Sequence, residues 1–339
     1  MKTRQNSRMK IVMEKWSKNV VVVGGANLDI VGKALQLLAP GDSTPGQTLI
    51  SRGGVARNVA ENLARLGLDT QLYSAVGLDT GGRTLCQETQ ASGVGIQKIY
   101  YSPTLPTAQY LSLVQPNGSL HAAVNDMRVL EQLTPQVLRQ QGFDLSTAQA
   151  LVLDCNLRAD TLAWLFEQSR FYPDLLVVVD AVSAAKCIKM RAHLAQINLL
   201  KVNPLEARAL TGLAVDSIAD AQQAAHWFWQ QGVRHTLLSL GQQGVCWCDS
   251  AGQVGHISPD MAASQVPVVN TNGAGDALLA GVVYGLLAPF SWPQSVQCGM
   301  ACAALTLTVA TANAEHLTLQ AVTAATPSGL TRENPSHET

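Results

Sequence analysis

The sequence predicts an α/β protein with a doubly wound, mostly parallel sheet that is flanked by helices and carries a small β lid. Two observations support this fold class. Short apolar runs of strand length alternate with segments of helical periodicity, which is typical of parallel strands joined by helices. The chain also has 339 residues, of which 47% are hydrophobic, so it can build a large core.

The predicted strands are almost continuously apolar, as expected for strands that helices cover on both faces. They span residues 19–25, 70–77, 150–156, 175–182, 198–203 and 235–241. Residues 56–67 are predicted to form an amphipathic helix, because Val59 and Leu63 fall on one face. Gly67 then ends this helix, since glycine readily adopts the left-handed conformation of a C-terminal cap.

Two segments interrupt this alternation. Residues 107–126 have the pattern of two strands joined at Asn117-Gly118, a dipeptide favoured in two-residue hairpin turns. Residues 31–52 are rich in Gly and Pro and lack a helical period. Together they predict a lid, over about 31–52 and 98–127, above the carboxyl edge of the main sheet where ligands of such sheets bind. An ordinary edge hairpin explains residues 107–126 equally well.

Charge and cysteine content exclude several classes of protein. With 23 basic and 24 acidic residues the net charge is −1, so we expect neither nucleic acid nor a membrane as a partner. The seven cysteines lack the spacing of a zinc site and are interpreted as free thiols of a cytoplasmic protein. Residues 1–18 are predicted to be a disordered basic extension, 19–325 a single domain, and 326–339 a polar tail.

The stretch VNTNGAGDALLAG, residues 268–280, places glycines and an acid at the start of an apolar helix. Gly273 and Gly275 have no side chains to keep an anion away from the free amides at the helix start. Asp276 would lie beside that anion, where a carboxylate can take a proton from an attacking hydroxyl. The alternative is a turn at Asn272-Gly273, with Asp276 only complementing the helix dipole.

Polar residues near the first predicted strand suit a ligand rich in hydroxyl groups. Asn27 and Asp29 follow that strand and offer acceptors for vicinal sugar hydroxyls, although an Asp at a strand edge can simply be solvated. The segment GGVARN, residues 53–58, places Gly53, Gly54 and Asn58 at a helix start. A ligand could approach the backbone closely there, and a tight strand-to-helix turn is the alternative.

Four segments, in order along the chain, resemble motifs of the ribokinase (PfkB) family of carbohydrate and nucleoside kinases. They are GGVARN (53–58), KVNPLEA (201–207), SLGQQGV (239–245) and NTNGAGD (270–276), and the resemblance spans residues 19–325. The second also has a purely structural interpretation, with Asn203 as helix N-cap and Glu206 closing a capping box.

The resemblance implies a ribokinase-like fold and an ATP-dependent kinase, with Asp276 as general base and an anion hole formed by Gly273, Ala274 and Gly275. It places the ATP site at Asn203, Ser239, Gly241 and Gly244. It assigns Mg²⁺ to Glu206, through water. It places the sugar at Asn27, Asp29, Gly53, Gly54 and Asn58. Where the family has Asp near a monovalent-cation site, this chain has Asn270, which puts a potassium requirement in doubt.

Further segments resemble family members that phosphorylate the ribose 5′-hydroxyl of a C-nucleoside. They are AVNDM (123–127), LDCN (153–156) and VVVDAVSAAKCIKMR (177–191). In that interpretation Asn125 and Asp126 of the lid contact the base, although they could equally end a strand and cap a helix. The alternatives are a kinase of ribose, a ketohexose or a purine nucleoside, or a nucleoside-binding sensor without turnover. A homodimer through the lid is also expected.

Overall fold

The computed structural model describes residues 18–39, 41–259, 268–288 and 290–326. The predicted N-terminal extension and C-terminal tail lie outside the described residues, apart from residues 18 and 326.

The described residues form strands and helices that alternate along most of the chain. In chain order the strands are β1 (Asn19–Val23), β2 (Asn27–Ala34), β3 (Gly46–Gly53), β4 (Asp69–Tyr73), β5 (Ala75–Gly77), β6 (Tyr100–Ser102), β7 (Gln109–Val114), β8 (Leu120–Asp126), β9 (Ala148–Asp154), β10 (Leu176–Asp180), β11 (Leu199–Val202), β12 (His235–Ser239), β13 (Val245–Cys248) and β14 (Val254–Ile257). The helices are α1 (Val55–Arg65), α2 (Thr80–Ala91), α3 (Pro135–Gln140), α4 (Ala159–Ser169), α5 (Ala184–Cys187), α6 (Pro204–Thr211), α7 (Ile218–Gln230), α8 (Ala274–Leu287), α9 (Trp292–Thr306) and α10 (Leu319–Ala325).

The central sheet has eight strands in the order β14-β13-β12-β11-β10-β9-β1-β4. The strands from β12 to β4 are parallel, and β13 and β14 add an antiparallel edge. The predicted fold class, a mostly parallel sheet flanked by helices, is therefore confirmed. The chain leaves β1 toward β4 on one side and builds from β9 onward on the other. The carboxyl ends of β1 and β9 thus flank the switch point, where such sheets bind ligands.

The core lies on both faces of the central sheet, because alternate residues of β1 point in opposite directions. Val20 packs in one cluster with Leu63 of α1, and Val21 packs in the other with Phe166 of α4. Each such fully buried side chain contributes about 1.5–3 kcal/mol to folding. Helix α8 is packed closely against α9, since a Cβ at Gly299 would lie 2.5 Å from the carbonyl oxygen of Leu278. This contact fixes the helix that carries the glycine-rich motif.

A second sheet, in the order β3-β2-β7-β8, forms over the two segments that interrupt the main pattern. The hairpin is present, but its turn is longer than the predicted two residues, because Gln115 N–H bonds to Ser119 O at 2.9 Å across three residues. Gly118 takes the left-handed conformation there, with φ of 86°. The predicted strand over 70–77 is split at Ser74, whose carbonyl accepts a hydrogen bond from Tyr100 N–H, so that β5 pairs with β6.

The two faces of this second sheet differ in character. One cross-strand row consists of Ser51, Asp29, Tyr110 and Asn125, and the adjacent row on the opposite face of Ile50, Ile30, Leu111 and Val124. In the apolar row Ile50 is 64% exposed and Val124 67%. Such a surface would suit the homodimer expected through the lid, and both the dimer and the lid role stay predictions.

Candidate active site

The glycine-rich motif begins helix α8 in the manner an anion site requires. Gly273 is the N-cap in the left-handed conformation, with φ of 79°, and a Cβ there would lie 1.9 Å from Ala312 O. Because the first helical bond runs from Ala277 N–H to Gly273 O, the amides of Ala274, Gly275 and Asp276 have no partner within the helix. Their donors and the helix dipole favour an anion.

Asp276 is buried beside this loop and bonded to a residue of the other motif. Asp276 is only 7% exposed, and Nδ2 of Asn58 on α1 donates a hydrogen bond to Asp276 Oδ2 at 2.7 Å. The carboxylates of two neighbouring strands also act on it. Burial, with the charges of Asp180 and Asp154, raises the pKa of Asp276 to about 7, and Lys201 and the Asn58 hydrogen bond oppose the increase. The group thus titrates near neutral pH, which suits a general base.

The orientation of Asn58 is set by Arg57, which the sequence analysis did not single out as a site residue. The buried Arg57 guanidinium bonds to Asn58 Oδ1 and Asn313 Oδ1, pairs with Glu61 Oε2 at 2.5 Å, and Nε donates to Gly53 O at 3.0 Å. Because the guanidinium holds Oδ1 of Asn58, the Nδ2 group of Asn58 is the one that faces Asp276. Arg57 therefore aligns the two motifs through Asn58.

Four of the five predicted sugar residues lie at the start of β2 and around the end of β3, and the fifth, Asn58, lies on α1. Asn27 Nδ2 donates to Asp29 Oδ1 at 2.7 Å. Gly53 of β3 lies opposite Asn27, and a Cβ on Gly53 would lie 2.4 Å from Asp29 Oδ2. Gly54 has a φ of 98°, and a Cβ there would lie 2.4 Å from Gly25 O, so neither glycine can be replaced without movement. Burial raises the pKa of Asp29, and the Asn27 hydrogen bond opposes this.

Asp154, at the switch point, is a second residue that the sequence analysis did not select. Its carboxylate accepts hydrogen bonds from the backbone N–H groups of Gly25 at 2.8 Å, Ala56 at 3.0 Å and Asn156 at 2.8 Å. It thereby ties the end of β1 to the start of α1. An acid at the end of an apolar run, as in ALVLD, was the available signal.

The residues predicted for the nucleotide and the metal form a helix cap. Glu206 N–H bonds to Asn203 Oδ1 at 3.0 Å, and Asn203 N–H bonds to Glu206 Oε2 at 2.8 Å, which is the capping box proposed as the structural alternative. Asn203 Nδ2 also donates to Glu206 Oε1 at 2.8 Å. Since both carboxylate oxygens already accept hydrogen bonds, this donor set fits Mg²⁺ held through water better than Mg²⁺ bound directly. The described residues contain no group of three His, Cys, Asp or Glu side chains that could hold a metal.

The other predicted ATP residues lie around the end of β12. Ser239 is half-buried, and its Oγ lies 3.4 Å from Val202 O. Gly241 and Gly244 bracket a 3-10 turn, with φ of 59° and 89°. A Cβ at Gly241 would meet nothing within 4 Å, so this turn is open on one side, whereas one at Gly244 would lie 2.0 Å from Ile257 O.

The two lid residues predicted to contact a base lie on opposite faces of β8. Asn125 is in the row of Asp29 and Tyr110, on the side of the sugar residues. Asp126 points the other way, and its Oδ2 pairs with Arg128 at 2.6 Å. That pairing lowers the pKa of Asp126 to about 2. The structure therefore groups Asn125, and not Asp126, with the other predicted substrate residues.

Asn270 holds a loop together in place of a charged residue. Its Nδ2 donates to Ala310 O at 2.8 Å, and its Oδ1 accepts from Asn272 N–H at 3.0 Å. The two bonds fix the orientation of the amide, since only its nitrogen can donate to a carbonyl. A donor directed at this carbonyl does not fit a monovalent cation bound there.

No helix in the described parts of the chain combines the length and the apolar character that crossing a membrane requires.

Several characterised proteins are similar to this chain. Pseudouridine kinase of Escherichia coli is 37% identical over 300 residues, covering 88% of this chain and 94% of that protein. Guanosine-inosine kinase of Exiguobacterium acetylicum is 25% identical over 84% of this chain and 93% of its own length. The structure of Arabidopsis thaliana ribokinase complexed with ribose and ATP superposes with a TM-score of 0.79 at 20% identity, covering 92% of this chain and 99% of that one.

A glycine-rich helix start beside a buried carboxylate, at the switch point of a parallel sheet, is an arrangement suited to phosphoryl transfer. The chain belongs to the pfkB family of carbohydrate kinases, which it matches over residues 17–318. It is accordingly an ATP-dependent phosphotransferase, and the family assignment made from the four motifs is confirmed.

Proposed function

We propose that this enzyme transfers the γ-phosphoryl group of ATP to the ribose 5′-hydroxyl of pseudouridine, giving pseudouridine 5′-phosphate and ADP. The observation that carries the mechanism is the 2.7 Å hydrogen bond between Asn58 and Asp276, because it joins the two motifs at one point. The choice of substrate is supported by the 37% identity with the Escherichia coli enzyme.

In this proposal the nucleoside lies between the second sheet and the start of α8. The carboxylate of Asp29 accepts hydrogen bonds from the vicinal ribose hydroxyls, and Gly53 leaves the space for that carboxylate. The 5′-hydroxyl then faces Asp276. As its oxygen attacks the γ-phosphorus, its proton passes to the carboxylate, and the bond from phosphorus to the bridging oxygen of ADP breaks.

The charge of the transferring group is met by the backbone. The amides of Ala274, Gly275 and Asp276 have no partner within the helix, and they need no reorganisation during the reaction because α8 is packed against α9. The turn between Gly241 and Gly244 is assigned to the nucleotide, with Ser239 and Asn203 beside it. Mg²⁺, when bound, would neutralise phosphate charge, and Glu206 would hold its water shell.

The function is tested by ADP release from ATP with pseudouridine, uridine, inosine, ribose and fructose as acceptors. Pseudouridine is expected to have the highest kcat/KM. A higher value with inosine would favour the purine nucleoside alternative, which the similarity to guanosine-inosine kinase supports. Faster phosphorylation of ribose or fructose would make the protein a sugar kinase. No turnover with any acceptor would leave the sensor alternative.

The lid position of Asn125 leads to an expectation about base discrimination. Replacing Asn125 by Ala is expected to reduce the pseudouridine-to-uridine ratio of kcat/KM by about tenfold, the effect of one lost hydrogen bond of roughly 1.4 kcal/mol. Asp126→Ala is the matched control, because the neighbouring side chain lies on the opposite face and pairs with Arg128. Both ratios are measured by competition. An unchanged ratio in Asn125→Ala would remove the lid from base recognition.

The bonds of Asn270 lead to an expectation about monovalent ions. The amide already satisfies Ala310 O, so kcat in tetramethylammonium buffer is expected to equal kcat in potassium buffer within about twofold. In Asn270→Asp the carboxylate would face the same carbonyl, and potassium should then activate. Strong potassium activation of the unchanged enzyme would contradict this interpretation.

A further inference from the structure

One charged residue, Lys201, lies in an otherwise apolar buried strand. It occupies the third position of β11, whose sequence is LLKV, and it is 8% exposed. Among the described residues only Lys201 and Arg57 are buried basic side chains, and Arg57 is paired with Glu61. Burying an ammonium group costs free energy unless the group is paired, so the groups around Lys201 must offset that cost.

The Lys201 ammonium lies directly against the glycine-rich loop at the start of α8. A Cβ placed on Gly275 would lie 3.0 Å from Lys201 Nζ, which means that the missing side chain of Gly275 makes room for the ammonium. Nζ also forms an ion pair with Asp180 Oδ2 on the neighbouring strand β10, at 3.0 Å. The cation is thus held between a strand end and the loop.

Asp180 itself is fixed by the backbone that follows it. Its Oδ1 accepts the N–H of Val182 at 2.8 Å. Val182 is the one described residue other than glycine with a positive φ, 65°, a conformation that a β-branched side chain rarely adopts. The chain therefore holds the Asp180 carboxylate, and with it Lys201, in one place.

The groups that act on Asp276 come from four elements, and three of them carry a charge. Asp154 and Asp180 end β9 and β10, Lys201 is on β11, and α1 contributes the neutral Asn58. Lys201 also feels the negative charge of Glu206 at the start of α6. Two carboxylates would therefore drive Asp276 to take up a proton, and Lys201 is the cation among these groups that opposes them.

We propose that Lys201, fixed by Asp180 and lying against Gly275, is a positioning residue that favours the ionised form of the Asp276 carboxylate. This inference rests on the proposed role of Asp276 as general base. It assigns Gly275 a second purpose, since a Cβ at this position would force the ammonium to shift away from the loop by a few tenths of an ångström.

The test is the pH dependence of kcat at saturating ATP and nucleoside. In the unchanged enzyme kcat is expected to fall on the acidic side as Asp276 becomes protonated. In Lys201→Met this acidic limb is expected to move up by about one pH unit or more, with activity partly recovering at higher pH. Asp180→Asn should move it down, because a repelling charge is lost. Lys201→Arg, which keeps the cation, should leave the limb within about half a unit of its original place.

The double variant Lys201→Met with Asp180→Asn separates the effect of charge on the pH profile from an effect on folding. It removes both charges of the buried pair, and the acidic limb of its pH profile is expected to lie above that of Asp180→Asn and below that of Lys201→Met. Circular dichroism checks each fold, and if Lys201→Met does not fold, the double variant is compared with Asp180→Asn instead.

Two results would overturn the inference, and neither depends on the proposed function failing. One is a loss of kcat in Lys201→Met by the same factor at every pH, which would mean direct contact with the phosphoryl group. The other is an acidic limb that stays in place in all the variants. If instead the unchanged enzyme phosphorylates its acceptor and Asp276→Asn is equally active, the proposed base has failed and the inference fails with it.

Discussion

Replacing Asp276 by Asn is expected to lower kcat by about two to four orders of magnitude, the range for a positioned general base. The amide keeps the shape of the carboxylate and can still bond to Asn58, so the loop and the sugar residues should stay in place. Dissociation constants for ATP and nucleoside, measured by calorimetry, should therefore change little. The expected result is an enzyme that binds both substrates and hardly turns over.

The matched control is Asp220→Asn, which alters another acid in the first turn of a helix. Asp220 closes a capping box with Ser217 at the exposed start of α7. Its replacement should weaken the start of α7 slightly and leave kcat unchanged. If Asp276→Asn instead behaved like this control, Asp276 would be a helix-end charge that complements the dipole.

The acidic side of the pH profile follows from the raised pKa of Asp276. The base must be deprotonated, and burial together with Asp180 raises its pKa above that of an ordinary carboxyl. As pH falls through this value the protonated fraction grows, so kcat should decline below neutrality rather than below pH about 4, where an unperturbed Asp would titrate. Asp276→Asn should remove this dependence from its residual activity.

Much of the fold is determined by patterns that act over short distances along the chain. The buried strands of the central sheet have nearly unbroken apolar runs, and the amphipathic period of residues 56–67 marks α1. The break at Ser74 depends instead on pairing with Tyr100, and no local pattern records it. The length of the hairpin turn depends on the strand register for the same reason.

The sequence predicts site residues where one motif carries the proposed chemistry, as in Gly273–Asp276, but it does not reveal contacts between distant segments. Arg57 contacts Asn313, which is 256 residues away, and Lys201 meets Asp180 only because β10 and β11 are neighbours. Asn125 and Asp126 looked equivalent in sequence, but adjacent residues of a strand face opposite sides. The capping box at Asn203 and Glu206 was foreseen, since it is local, and their roles toward ATP and Mg²⁺ stay predictions.

Replacing Asp29 by Ala is expected to raise KM for the nucleoside by about 10- to 100-fold, the effect of losing a charged hydrogen-bond acceptor worth roughly 1.5–3 kcal/mol. KM for ATP should change by less than about threefold. The reason is position, since Asp29 is packed against Gly53 and bonded to Asn27, both of which are predicted sugar-binding residues. Equal effects on both KM values would make Asp29 part of the scaffold.

A cycle that combines this variant with altered substrates identifies the group that Asp29 binds. If the carboxylate accepts the vicinal ribose hydroxyls, 2′-deoxy and 3′-deoxy nucleosides should be poor substrates of the unchanged enzyme. In Asp29→Ala the same analogues should lose almost nothing further, because their partner is already gone. Asp29→Asn is the control for charge, since its Oδ1 can still accept from Asn27 and from one hydroxyl. A deoxy penalty that is as large in Asp29→Ala as in the unchanged enzyme would show that other residues hold the ribose.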